Sequence, residues 1–485
     1  MKKKSLTVNA LLSSLKTLTS IIFPLITYPY ITRVLSVENI GKINFGQSVV
    51  SYFSLLAGLG ISTFAIRNGS QIREDNERLN LFANRVFTIN VLSTFLSCAL
   101  LIMVIFLPTK IAIYREIILI QGIAVALSPL AVDWIYTIYE DFGYITARSI
   151  LVQLLSMILL FTLVKTEKDV YLYVALTSMS TSLGNLFNFF HSKKYIKLRL
   201  VSDTHWKEYR NSILLFFVNS IATIIYMNSD TTILGILKDD YSVGLYSVAV
   251  KIYTIVKQVF NAVIATTIPR LAYLRKKDTR GFENLTKKMV SIATVCTIPA
   301  SVGLIILRKE VISLISGDNY IGAASTLAIL SGAIFFGILA NILANGVLIS
   351  MGREKYVVKA TMVSAIGNAT LNFIFIPLFT QNGAAFTTLL AEMTMFIMSL
   401  YYSRDIVSKM IDLVEFRNAV LGSLIMLALS YPVLNLVSQY NLFVRILSAV
   451  ILCSGAYVVI LVLLRDSVMY EIFHEIVCRI KRTRQ

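Results

Sequence analysis

The chain has 485 residues, of which 56% are hydrophobic and 15% charged, and its formal net charge is +18. Soluble globular proteins are typically about 45–50% apolar and about 25% charged, so this composition excludes an ordinary soluble enzyme. The mean hydropathy of +0.72 predicts a polytopic membrane protein instead. In such a chain basic residues lie at the membrane edges and set orientation, so the positive charge does not indicate nucleic acid as a partner.

Hydropathy predicts an all-α fold with about fourteen membrane-spanning helices, because apolar runs of roughly 20 residues recur along the whole chain. The loops between these runs are too short to hold a soluble domain. The predicted spans cover residues 9–32, 43–66, 84–107, 116–138, 145–164, 170–190, 211–230, 243–268, 288–307, 322–349, 356–377, 383–403, 418–437 and 442–464.

The distribution of Lys and Arg predicts the orientation of the chain. An even number of spans places both termini on one side, and the tails and loops of that side hold most of the 45 basic residues. The positive-inside rule therefore predicts that both termini are cytoplasmic. Orientation and attraction to anionic lipid headgroups explain the charge of the two most basic loops, at 193–199 and 275–280.

A weak internal repeat relates the two halves of the chain. Residues 34–43 join spans 1 and 2, residues 237–246 join spans 7 and 8, and Gly41 and Gly244 take the same relative place. A repeat unit of six spans returns the chain to its starting side, so the two lobes are expected to be parallel. The predicted divisions are a six-helix lobe at 1–190, a cytoplasmic connector at 191–210, a second six-helix lobe at 211–403, and helices 13 and 14 with a basic tail at 404–485.

Polar stripes on spans 1, 2, 7 and 8 predict a polar cavity between these lobes, because polar side chains in lipid turn toward protein or water. For each hydroxyl taken alone, bonding between neighbouring helices is an equal alternative. The predicted lining residues are Ser13, Thr17 and Ser20 on span 1, Asn219 and Thr223 on span 7, and Ser247, Thr254 and Gln258 on span 8.

Three lysines, Lys16, Lys251 and Lys257, fall inside predicted spans. A charge at the bilayer centre costs at least about 2.5–3.5 kcal/mol, so Lys251 and Lys257 are expected to face the cavity. For Lys16, reaching the membrane interface with its long side chain is an equal alternative. A surplus of cations there suits an anionic ligand such as phosphate or pyrophosphate. Residues that extend the cationic surface, unless they are interfacial anchors, are Arg33, Arg67 and Arg85. The acidic candidates for ion coupling are Asp133, Asp230 and Glu392.

No catalytic or metal-binding motif is present in the sequence. It has no HExxH pattern, no Walker A loop and no Ser/His/Asp arrangement, and its four Cys and three His residues lack metal-ligand spacing. We therefore expect a protein that is not an enzyme, with no cofactor and no metal. Without a P-loop the chain cannot hydrolyse ATP directly, so any energy that it uses has to come from an ion gradient, the membrane potential or the gradient of its substrate.

Three segments of the N-terminal half are distinctive: Phe-Pro-Leu-Ile-Thr-Tyr-Pro-Tyr-Ile-Thr-Arg-Val-Leu at 23–35, the segment 40–53, and Tyr-Ile-Thr-Ala-Arg-Ser at 144–149. In these segments the chain resembles the Wzx-type polysaccharide flippases of the MOP (multidrug/oligosaccharidyl-lipid/polysaccharide) superfamily. The span count and the repeat extend this resemblance over the whole chain.

This resemblance implies two six-helix lobes in a V, alternating access, and export of undecaprenyl-pyrophosphate-linked oligosaccharide units across a bacterial inner membrane. It also implies a basic cavity, to which Lys16, Lys251 and Lys257 correspond by position. The implied partners are the lipid-linked glycan, membrane lipids, a polysaccharide polymerase and a chain-length regulator.

Two other functions remain open from the sequence. A MATE-like drug/cation antiporter would favour acidic cavity residues, and the surplus of cations counts against it. A membrane glycosyltransferase or polymerase would need a catalytic loop, and the predicted loops are short.

Overall fold

The computed structural model describes residues 6–407 and 413–470, and within these ranges the chain is helical, with no strand. The described helices are α1 (Leu6–Val34), α2 (Val37–Gly58), α3 (Ile61–Gly69), α4 (Asn76–Phe106), α5 (Arg115–Ala126), α6 (Asp133–Ile138), α7 (Phe142–Leu163), α8 (Val170–Ser192), α9 (Trp206–Leu237), α10 (Asp240–Lys277), α11 (Thr279–Ile306), α12 (Arg308–Ser316), α13 (Ala324–Asn341), α14 (Glu354–Tyr402), α15 (Arg404–Val407), α16 (Leu413–Leu436) and α17 (Leu442–Leu463). A π-helical segment, Ile342–Leu348, extends α13.

Most of the predicted spans are confirmed as long helices. Twelve helical segments of the described chain are long and apolar enough to cross a membrane. One of them, α14, covers two predicted spans, which are separated by a kink. The helix is kinked because Pro377 removes a backbone donor and Thr380 takes a non-helical φ of +52°. The helix α8, with 23 residues, is also long enough to span but is rich in Ser, Thr and Asn. The all-α polytopic fold predicted from hydropathy is therefore correct.

Two predicted spans are interrupted in ways that hydropathy does not show. The helix α2 ends where Leu59 and Gly60 take positive φ values of 45° and 71°, and α3 follows. The span predicted at 116–138 breaks around Pro129 into α5, a short 3₁₀ turn and α6. Both breaks let short helices pack inward: α3 and α6 share one apolar core that includes Phe64, Ile135 and Tyr136.

The chain divides into two compact units, Met1–Gly244 and Leu245–Gln485. In the second unit, α16 and α17 pack against α11: the Tyr457 hydroxyl donates to the Val295 carbonyl at 2.7 Å, and Met426 and Cys453 lie in the same buried cluster. The repeat-based division into lobes at 1–190 and 211–403 stays a prediction.

The glycines of the two repeated segments lie in close backbone contacts within the first unit. A Cβ atom on Gly41 would lie 1.9 Å from the carbonyl oxygen of Asp240, and one on Gly244 would lie 2.1 Å from the carbonyl oxygen of Val37. Each repeated segment therefore presses a glycine against the backbone of the other. Only a residue without a side chain allows this approach.

Replacing either glycine with alanine is expected to destabilise the first unit by at least about 1–3 kcal/mol, because the obstacle is backbone that cannot rotate away. Thermal unfolding of purified Gly41→Ala and Gly244→Ala proteins in detergent measures the effect. Gly58→Ala is the matched control, since a Cβ there meets nothing within 4 Å. Equal unfolding temperatures for all three variants and the parent chain would contradict the close approach.

Candidate functional site

In the second unit, the polar stripe predicted on span 8 lies along α10. Ser247, Lys251, Thr254 and Gln258 follow one another at intervals of three or four residues, so they share one helix face. Ser247 is buried, Lys251 and Thr254 are half-buried and Gln258 is exposed. The stripe thus runs from the interior of the unit to its surface.

Lys257 is held in a buried cluster with Tyr253 and Glu392. Its Nζ atom forms an ion pair with Glu392 Oε1 and donates to the Tyr253 hydroxyl at 3.1 Å, and that hydroxyl donates to Glu392 Oε1 at 2.8 Å. The side chains of Lys257 and Glu392 are 20% and 4% exposed. Two of the predicted site residues, 135 positions apart, are therefore brought together, and each neutralises the other's charge.

The helix α13 closes over this cluster at Gly337. A Cβ atom there would lie 2.7 Å from Glu392 Oε2 and 2.8 Å from Lys257 Nζ. The absence of a side chain lets the backbone of α13 approach both charged groups and cover the ion pair.

A line of asparagines continues from the cluster. Asn341 Nδ2 donates to Asn261 Oδ1 at 2.6 Å, and Asn345 Nδ2 donates to Asn341 Oδ1 at 2.5 Å. The helix widens into the π-helical segment directly after Asn341; such segments are frequent at functional sites. Polar groups therefore extend from the ion pair along α10 and α13 toward the connection after Leu348.

The first unit holds a second ion pair, between the largely buried side chain of Arg148 and the more exposed Asp133. Arg148 Nη2 lies 3.4 Å from Asp133 Oδ1, and Arg148 Nη1 donates to the Gly184 carbonyl at 2.8 Å. Asn188 Nδ2 donates to the same Asp133 oxygen at 2.8 Å. Arg148 Nε is buried without a hydrogen-bond partner, so the guanidinium keeps one donor unused in the described structure.

A cavity of about 450 Å³ lies beside this pair and is lined by α1, α7 and α8. Its volume falls within the roughly 300–1,000 Å³ of small-molecule sites. Most of its polar lining is neutral: Ser20, Thr27, Gln153, Tyr173, Thr177 and Asn185. Such hydroxyl and amide groups form hydrogen bonds without adding charge to the membrane interior.

The hydroxyls predicted on span 1 bond mainly to their own helix. Thr17 Oγ1 donates to the Ser13 carbonyl at 3.0 Å, and Ser20 Oγ donates to the Thr17 carbonyl at 2.7 Å. Ser13, Thr17 and Ser20 are exposed on the unit, and Lys16 is half-buried beside them. Of these four residues, Ser20 lines the cavity.

The predicted arginines lie in different surroundings. Arg33 is exposed and donates to the Pro29 carbonyl of its own helix at 2.7 Å, and Arg67 is exposed. Arg85 binds the connector instead, with Nη2 3.1 Å from Asp203 Oδ2 and 2.9 Å from His205 Nε2. Desolvation acts to raise the pKa of Asp203, but the His205 amide and the Arg85 guanidinium outweigh it and lower the value.

Two further predicted residues lie on α9: Asp230 is 5% exposed and Thr223 is exposed. The side chain of Asn219 lies outside the described residues. No group of three or more His, Cys, Asp or Glu side chains in the described part of the chain could hold a metal ion.

Sequence reasoning missed Arg148, Tyr253 and Gly337. Tyr253 precedes Lys257 by four residues, so helical periodicity was a usable signal for that contact. Arg148 lies in the segment that carries the family resemblance but falls near the predicted start of a span, where an arginine resembles an interfacial anchor. Nothing local in the sequence pairs Gly337 with Glu392.

We expect Glu392→Gln to destabilise the protein, because removing one partner of a buried pair leaves an uncompensated charge, at a cost of about 3–5 kcal/mol. The double variant Lys257→Met/Glu392→Gln should regain much of that loss. Unfolding of the two single variants and the double variant in detergent gives the coupling energy, which is expected to be about 0.5–3 kcal/mol. Strictly additive effects would show that the two side chains do not interact.

Solved structures share this fold. The lipid II flippase MurJ in an inward closed conformation superposes with a TM-score of 0.73 at 16% identity, over 94% of this chain and 99% of that chain. An inward-facing multidrug resistance MATE family transporter of the MOP superfamily gives a TM-score of 0.61 at 15% identity, over 80% of this chain and 94% of its own. At these identities the likeness shows the fold alone.

Sequence relatives give the family. A putative O-antigen transporter of Escherichia coli (strain K12) is 23% identical over 398 residues, covering 79% of this chain and 93% of that protein. The family model described as polysaccharide biosynthesis protein matches residues 6–275, more than half of the chain. These findings confirm the resemblance to Wzx-type proteins of the MOP superfamily, and the chain belongs to the polysaccharide biosynthesis protein family.

Proposed function

We propose that this chain is a flippase that moves undecaprenyl-pyrophosphate-linked oligosaccharide units from the cytoplasmic to the periplasmic leaflet by alternating access. Family membership, the relative named as an O-antigen transporter and the fold shared with a lipid II flippase support the proposal. The single observation that carries it is the pair of lysines, Lys251 and Lys257, placed along the polar face of α10 inside a predicted span.

The proposed ligand is anionic because embedded ammonium groups form charge-assisted hydrogen bonds with phosphate oxygens. In the proposed cycle the pyrophosphate replaces Glu392 as the partner of Lys257. Glu392 then loses its counter-charge in a dry environment, where a carboxylate favours its protonated form. Substrate binding and proton uptake by Glu392 would thereby be linked through one lysine, which gives this residue its proposed coupling role.

The other predicted residues enter the proposal with separate roles. Lys16, Arg33 and Arg67 extend the proposed cationic surface, whereas Arg85 is assigned to holding the connector because Asp203 and His205 bind it. Asp133 and Asp230 are proposed as further ion-coupling groups. The polar lining residues of spans 1, 7 and 8 are proposed to contact the pyrophosphate-sugar region.

The proposed location is a bacterial inner membrane with both termini in the cytoplasm. The undecaprenyl tail would remain in the lipid while the polar part crosses. A polysaccharide polymerase and a chain-length regulator are proposed to act on the exported units.

Substitution of the α10 lysines tests the proposed binding role. In cells that depend on this chain, Lys251→Gln and the double variant Lys257→Gln/Glu392→Gln should each lower glycan export at least about tenfold, because each removes a charge-assisted contact worth about one factor of ten. Lys251→Arg should keep part of the activity, since it retains the charge in a different shape.

The control is Lys276→Gln, which removes a lysine from the end of α10, outside the polar stripe. Immunoblotting of membranes checks that every variant is present at parental abundance. If the Lys251→Gln variant and the double variant both exported glycan fully at normal abundance, the two lysines would not contribute to binding the transported lipid.

The proposed orientation has its own test. Alkaline phosphatase is active only outside the cytoplasm, so fusions after Lys194 and Lys277 should be inactive. Fusions in the connection after α1, between Val34 and Val37, should be active. The reverse pattern would overturn the orientation and the charge distribution from which it was inferred.

A further inference from the structure

Three adjoining cavities surround α11 in the second unit. A polar cavity of about 550 Å³ lies at the beginning of the helix, between the end of α10, the start of α16 and Ser467. An apolar cavity of about 410 Å³ lies on one face of α11, against α10 and α13. A second apolar cavity of about 330 Å³ lies on another face, against α13, α14 and α16.

Shared side chains show that the polar cavity lies directly beside both apolar cavities. It shares Leu285, Lys288 and Ile292 with the cavity between α10 and α11. It shares Ser291 and Glu415 with the cavity between α11 and α16. One polar compartment therefore borders two separate apolar compartments, with α11 between them.

The charges of the polar compartment favour a phosphate group. Arg270, Lys287 and Lys288 line it, together with the carboxylates of Asp278 and Glu415. Asp278 Oδ1 accepts from the Gly281 amide at 2.9 Å as the cap of α11, and Glu415 Oε1 accepts from the Ser467 hydroxyl at 2.7 Å. Both carboxylates thus already have hydrogen-bond donors, and among the described lining residues the basic groups outnumber them three to two.

The apolar compartments have the lining expected for hydrocarbon. One is lined by Phe260, Ile264 and Cys296, among others, and the second by Phe335, Phe336 and Phe396. An acyl chain buried in such a slot gains about 0.8 kcal/mol for each CH₂ removed from water, although a chain already in lipid gains only the better packing. The headgroup contacts and the packing of each acyl chain therefore both contribute to the affinity, and the number of slots decides how many chains fit.

We propose that this part of the second unit binds one glycerophospholipid, with the headgroup phosphate among Arg270, Lys287 and Lys288 and one acyl chain in each apolar cavity. A two-chain lipid matches the forked arrangement, whereas a polyprenyl phosphate has one chain and leaves a cavity empty. The site is separate from the Lys257–Glu392 cluster, and the proposal does not depend on the transported substrate.

Native mass spectrometry of the full-length chain in mild detergent tests this site with three added probes: a diacyl phosphatidylglycerol, the corresponding lysophosphatidylglycerol, and undecaprenyl phosphate. We expect one tightly retained diacyl lipid per protein. The lysolipid, which carries the same headgroup on a single chain, should bind more weakly. The two-chain assignment would be overturned if undecaprenyl phosphate bound at least as tightly as the diacyl lipid and if this binding required Lys287 and Lys288.

Variants locate the bound lipid. Lys287→Gln/Lys288→Gln should weaken retention of the diacyl lipid about tenfold, because it removes charge-assisted hydrogen bonds to the headgroup phosphate. The matched control is Lys276→Gln/Lys277→Gln, which removes two lysines close by that do not line the cavity and should leave retention unchanged.

A second variant leaves the charges untouched. Cys296 is exposed and lines one apolar cavity, so Cys296→Phe fills that cavity from its open side. It should lower diacyl retention toward the lysolipid level without changing lysolipid binding. Equal diacyl retention by the parent chain, the lysine double variant and Cys296→Phe would show that the lipid does not bind here.

Discussion

A charged side chain in the hydrocarbon layer has to be neutralised by a group within its own reach, and the interior of both units is arranged around this constraint. Lys257 reaches Glu392 across 135 residues of sequence, and this contact joins α10 to α14. Arg148 reaches Asp133 from α7 in the first unit. Because a desolvated charge costs several kcal/mol, the helices that carry the buried Lys257–Glu392 pair are expected to stay together.

The same constraint explains where small residues and hydroxyls are found. Gly337 lets the backbone of α13 approach the Lys257–Glu392 pair, and Tyr253 supplies a hydroxyl that bonds to both charges. The pair is thereby satisfied without an external ligand. For a protein proposed to bind a pyrophosphate, this means that the ligand has to displace an existing partner. Displacement is a natural means of linking binding to the protonation of a carboxylate.

The helices could be predicted from the sequence because charge-free runs of membrane length leave few alternatives in lipid. The non-helical residue within α14, Thr380, lies between two predicted spans, shortly after the span that ends at Pro377. The division of the span at 116–138 was missed, since a hydropathy window averages over the turn at Pro129.

The candidate site could be predicted from the sequence less completely than the fold. Lysines inside spans are visible in the sequence, but their partners are not, because an ion pair across 135 residues leaves no periodic signal. The sequence indicated that acidic groups were too few to neutralise the lysines, whereas the structure gives Lys257 a carboxylate of its own. Arg85 was predicted to extend the cationic surface, whereas in the structure it contacts Asp203 and His205 of the connector. These contacts depend on the path of the connector, which has no regular sequence pattern.

We propose that this member of the polysaccharide biosynthesis protein family moves a lipid-linked glycan across the membrane. Following that lipid in cells tests the proposal most directly. Deletion of the gene, followed by lipid extraction and mass spectrometry, measures the undecaprenyl-pyrophosphate-linked oligosaccharide. Our account predicts that the complete unit accumulates, that it is inaccessible to a glycosidase added to intact spheroplasts, and that re-expression of the chain removes it. Unchanged lipid-linked glycan together with normal surface polysaccharide in the deletion strain would contradict the account.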